Sequence, residues 1–207
     1  MDFKAKIFFG LLLMSIFSCG FSETKKLDNS LRKTIDENNC QLELKSVQKN
    51  ETKQLKLKLL SRNDSAFFFG KVLYDFINYS KEEQLKFDNY SICTYKDQEI
   101  LFLSEKDFEI VCRKKSLFDE HIKMLCKNDL NSFVMKMDTS ILNHIDTLDF
   151  KQSIVKNNLR NKTKFNGFKL DDKTYISFST INENNKNIII SYLLDDDSDK
   201  IFGFSIR

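Results

Sequence analysis

The chain contains no proline, no tryptophan and only two histidines, and its five glycines are scattered singly along 207 residues. No glycine-rich loop is present to cradle a phosphate, and no Gly-x-Ser-x-Gly elbow presents a nucleophile. His121 and His144 have no serine or cysteine at an informative spacing, so neither is placed as a general base. The five cysteines include no Cys-x-x-Cys pair, which speaks against a zinc site built from Cys93, Cys112, Cys126 and His121. The expectation is no catalytic residue, no metal site and no cofactor. An excess of one charge is missing too: 33 basic and 30 acidic residues are interspersed, for a net of +3. Proteins that bind nucleic acid carry a concentrated basic face, so nucleic acid is not an expected partner. The missing proline and tryptophan, beside abundant Lys, Asn, Ile and Phe, read as the coding bias of an AT-rich bacterial genome.

No apolar run is long enough to span a bilayer. Ile7 to Phe17 offers eleven residues, against the roughly 20 that a spanning helix needs. Lys4 and Lys6 precede this run and Ser18-Cys19-Gly20 follows it, giving the charged, apolar and small-residue zones of an export signal. Cys19, directly behind Ile16-Phe17-Ser18, resembles the lipobox of bacterial lipoproteins. Aliphatic Ile16 and small Ser18 match that pattern, while Phe17 is bulky where a small residue is usual. The resemblance covers these few residues only. It implies removal of residues 1–18 and a diacylglycerol thioether on Cys19, the new N-terminus. Two or three acyl chains, at ~0.8 kcal/mol per buried CH2, would hold the protein on a membrane. The implied location is the cell envelope, at the outer membrane or a periplasmic face. Cleavage after Gly20 is the rival, and would release a soluble secreted protein.

Behind the signal peptide (1–18), residues 19–39 are polar and read as a lipidated N-terminus and flexible tether. The spacing of Leu27, Leu31 and Ile35 by four allows a frayed helix there. Residues 40–207 are long enough for one core burying about 70% of its extended surface, and one α+β domain is expected. Alternating leucines predict a hairpin from Gln41–Gln48 and Lys53–Leu60. Phe69, Val72, Leu73, Phe76 and Ile77 predict a helix from Ala66, and Gly70 within it suggests close approach to a sheet. A second strand pair is expected near 86–94 and 100–103. Ser104 to Asp107 reads as a capping box opening a helix to about Lys127. A short strand over Phe133–Met137 and two helices, Asp138–Leu148 and Phe150–Leu159, should follow.

Four alternating runs, Lys164–Leu170, Lys173–Ile181, Asn187–Leu194 and Lys200–Ile206, predict an antiparallel meander. The expected fold class is therefore α+β, with antiparallel sheets (N-terminal hairpins and a C-terminal four-stranded meander) packed against several helices. The order of helices before a meander, over Thr139–Arg207, is faintly similar to the cystatin-like and nuclear-transport-factor-like folds. One face of the meander is apolar. The other carries small residues, and Ser177, Ser191 and Ser205 on it are the candidate ligand contacts, for a lipid, glycan or protein partner, if no helix covers them. Asp195, Asp197 and Asp199 have the 1,3,5 spacing of a calcium loop but lack its glycine and its closing glutamate. Cys112 and Cys126 should share one helix, too far apart to bridge. Any disulfide would then involve Cys40 or Cys93.

Overall fold

The computed structural model describes residues 22–49, 52–60, 65–157, 159, 163–171, 174–194 and 198–207. The expected signal peptide, residues 1–18, and Cys19 lie outside them. No helix among the described residues is long and apolar enough to cross a membrane. The fold is α+β: the described residues form six helices and two four-stranded sheets rich in antiparallel pairs. After α1 (residues 22–38) come β1 (Leu42–Lys49) and β2 (Thr52–Leu59), an antiparallel pair in which Leu44 faces Leu57. Helix α2 (Ala66–Glu82) then crosses back so that β3 (Asn89–Cys93) runs parallel to β2, and β4 (Glu99–Ser104) closes the sheet antiparallel to β3. The two expected hairpins are thus joined into one sheet by a β-α-β crossover.

Helix α3 (Glu105–Cys126) starts at the expected capping box. Ser104 Oγ accepts from the Asp107 N–H at 3.1 Å, and Asp107 Oδ2 accepts from the Ser104 N–H at 2.9 Å. Its first half packs on the first sheet, with Phe108 against Tyr90, and its second half on the meander, with Phe118 stacked on Phe178. The meander is β5 (Thr163–Asp171), β6 (Tyr175–Asn182), β7 (Asn187–Leu193) and β8 (Gly203–Ile206), in that order. Buried side chains of both sheets and α2 and α3 form one continuous hydrophobic cluster.

Helix α2 touches both sheets and approaches β5 backbone to backbone. A Cβ on Gly70 would stand 1.9 Å from the Phe168 carbonyl oxygen, and one on Gly167 would stand 1.8 Å from that of Phe67. No larger residue fits either place, which accounts for a glycine inside a helix that it destabilises by ~1 kcal/mol against alanine.

Three expectations are corrected. Residues 22–38 are a helix, not a tether. Leu27, Leu31 and Ile35 pack on the core, and the face between them buries Ser30 and Thr34 completely. These hydroxyls are satisfied within the helix: Ser30 Oγ donates to the Lys26 carbonyl at 3.1 Å and Thr34 Oγ1 to that of Ser30 at 2.8 Å. A polar side chain that bonds its own preceding turn can be buried at little cost. Phe133 lies in a helix, α4 (Leu130–Met135), and not a strand, because Asp129 Oδ1 caps it through the Ser132 N–H; Met137 alone makes a bridge, to Ile201. The expected helix from Asp138 stops early, as α5 (Thr139–Leu142). Asp146, accepting from the N–H groups of Leu148 and Asp149, starts α6 (Thr147–Lys156) ahead of the expected start at Phe150.

Candidate functional site

Strand register builds the site. Lys169 of β5 is paired with Ser177 of β6, Ser177 with Ser191 of β7, and Ser191 with Gly203 of β8. The neighbouring row reads Gly167, Ser179, Ile189 and Ser205. Side chains two apart on a strand share a face, so these aligned small residues leave a hollow on the side of the meander opposite the core. Ser177, Ser191 and Ser205 all line one cavity of about 440 Å³ there. Ala66 and Phe67, at the start of α2, form one wall, and Lys169, Asp171 and Arg207 also border it. The serine face is therefore overhung by a helix end at one side and is not filled by a helix.

The floor is a hydrogen-bond chain. Ser177 Oγ donates to Asp171 Oδ2 at 2.9 Å and lies 2.8 Å from Ser191 Oγ. Because the single Ser177 proton goes to Asp171, Ser191 is the donor between the two serines. Lys169 Nζ donates to Asp171 Oδ1 at 2.5 Å. Ser177 is 3% exposed, whereas Ser191 and Ser205 are half-buried. Deeper in the second row, Ser179 accepts from Asn166 and donates to Asn187. Lys169 and Arg207 bring cationic side chains to the border beside Asp171. The arrangement can hold a small acid: cations at its edges and hydroxyls on its floor. The serine alternation was visible in the sequence; Lys169, Asp171, Phe67 and Arg207 joined the site only through register and helix packing.

The other candidates lie elsewhere. His121 is fully buried on the apolar side, stacked on Tyr192, with Nδ1 2.9 Å from the tyrosine oxygen. Burial pushes the His121 pKa below its ordinary value and that of Tyr192 well above its own. His144 is exposed in the turn after α5. Cys40, Cys93 and Cys112 are free thiols, and burial raises the pKa of each and of Cys126, that of Cys40 to about 11. They are poor nucleophiles. Asp195 and Asp197 lie outside the described residues, and Asp199 is paired with Lys136. Among the described residues no group of His, Cys, Asp and Glu is placed to hold a metal.

No family model, no curated protein and no solved structure matches this chain.

Proposed function

We propose that this chain is an exported lipoprotein, anchored in the cell envelope through Cys19, that binds a small soluble acid in the serine cleft without catalysis. The observation that carries the reading is the convergence of Ser177, Ser191 and Ser205, from three strands, on one cavity bordered by Lys169 and Arg207. Asp171 beside Ser177 raises the rival of a secreted hydrolase. Yet Asp171 is already engaged by Lys169, and both histidines stand apart from the cleft. A serine hydroxyl needs an adjacent base to attack, and binding is the better use of this site.

The short start of α1 bears on where the ligand comes from. Three Cα steps from Cys19 to Ser22 reach at most about 11 Å. Helix α1 then rises about 24 Å to Asn38. There Asn38 Nδ2 donates to Asp75 Oδ2 of α2 at 2.9 Å, while Lys33 pairs with Glu82, so the two helices run antiparallel. Ala66 and Phe67, at the cleft, lie a further turn or more beyond Asp75. On this reading the cleft is at the end away from the bilayer, and its ligand is taken from the aqueous side.

Two experiments test the proposal. Cys19→Ser should move the protein from the membrane to the soluble fraction; an unchanged membrane fraction would contradict the anchor. Titrating lactate or inorganic phosphate should shift the backbone amide signals of Ser177, Ser191 and Ser205. Ser177→Phe with Ser191→Phe should abolish the shifts and keep the fold. No shift in the parent protein, or unfolding of the double variant, would contradict the binding site.

A further inference from the structure

We infer a second binding site, for a neutral saccharide, in a cavity that shares no residue with the serine cleft. It encloses about 460 Å³ between the end of α1, the first turns of α2 and the ends of β5 and β6. Lys71, Asn38 and Asn182 line it. Lys71 Nζ, on a largely buried side chain, donates to Asn38 Oδ1 and to Asp75 Oδ2, both at 2.7 Å. An ammonium group has three donors, and Glu37 Oε1, at 3.9 Å, is too far to accept the third as a hydrogen bond.

Asn182 supplies a second, independent observation. It is 3% exposed, and its Oδ1 accepts from the Asn184 and Lys186 N–H groups at 3.0 and 2.9 Å. Those bonds fix which end of the amide is nitrogen. Its Nδ2 is buried with no partner among the described residues. An unmet buried donor costs about 1–3 kcal/mol, which an incoming acceptor oxygen would recover.

The remaining lining selects the ligand class. Lys71 and Lys164 are balanced by Glu37 and Glu183, so the wall has no net charge to draw an anion. Half-buried Phe68 and Phe165 offer apolar surface beside these polar groups. Donors seeking oxygen, carboxylates able to accept hydroxyls and two aromatic rings together match a sugar, with its hydroxyls and its C–H faces. A lipid chain would meet too many polar groups here, and inorganic phosphate would gain no net attraction.

The test is a titration of the protein with glucose, galactose, mannose and N-acetylglucosamine, with inorganic phosphate as the control, following the side-chain amide signals of Asn38 and Asn182. At least one sugar should shift these signals saturably while leaving Ser177 and Ser191 unmoved. Asn182→Asp keeps the acceptors for the turn and deletes the donor, and should weaken that sugar about tenfold, the worth of one buried hydrogen bond. Glu37→Gln, on a half-exposed side chain, tests the rim without threatening the fold and should weaken the sugar several-fold. The inference is overturned if no sugar moves the Asn182 signal, if phosphate alone moves it, or if neither substitution changes the response.

Discussion

Both sheets turn one face to the shared core, and both place small residues on the other. They differ in what stands beside those residues. On the first sheet Ser91 is flanked by Lys56 and Phe102, and Cys93 by Lys58. Ser91 and Cys93 are fully buried although they point away from the core. On the meander Ser177 is flanked by Ser191 and Lys169, and Ser191 by Gly203, and a cavity opens. A lone small residue among long ones is covered by its neighbours. Several in register leave a space that no neighbour can reach across. A cleft on a sheet is therefore a property of rows across strands.

The largest effect is expected at Gly167. Its φ of 127° and the 1.8 Å approach of a Cβ to the Phe67 carbonyl leave no room for a side chain. Gly167→Ala should cost about 3 kcal/mol or more in denaturant unfolding, as the wall of the cleft is pushed off the sheet. Gly203→Ala is the contrast: its Cβ would meet Ser191 at 3.1 Å, and the loss should be about 1 kcal/mol or less.

The core beneath the meander carries a pH dependence. Burial lowers the His121 pKa from its ordinary 6.5. In the window just below 6.5 the unfolded chain binds a proton that the folded chain refuses, so stability falls with acid and recovers as the pH rises. Glu120 on the same helix, and Lys136 and Asp199 from segments packed near it, act on this ring without reversing the direction. His121→Gln should flatten that part of a stability–pH curve measured by denaturation.

The smallest effects have opposite signs for one residue type. Ser91 Oγ is buried without a partner among the described residues, so Ser91→Ala should be neutral or stabilising by up to about 1 kcal/mol. Ser177 Oγ donates to Asp171, and Ser177→Ala should destabilise by about 1 kcal/mol. Thermal unfolding of the two variants side by side would show the sign.

Elements with strong local signals were legible in the sequence. The Ser104 capping box, the apolar stripe of α2 and the alternation of the four meander strands each specify their structure within a few residues. Helix α1 was not, because Ser30 and Thr34 look solvated until their hydroxyls are seen bonding back along the helix. The switch from strand to helix at Phe133 turned on one cap, Asp129. At the candidate site the serines were readable from their period of two. Lys169, Asp171 and Phe67 were not, since they depend on which strand residues pair and where α2 meets β5. The Asn182 cavity left no sequence pattern, because its parts come from four separate elements.

The meander's serine face is open where the equivalent face of the first sheet is closed. Thiol labelling compares them directly. Ser191→Cys and Ser91→Cys are each exposed to a small methanethiosulfonate reagent under native conditions, against a background of native thiols whose raised pKa values keep them slow. Rapid modification of the cysteine at position 191 and protection at position 91 are expected. Equal protection at both positions would contradict an open serine face.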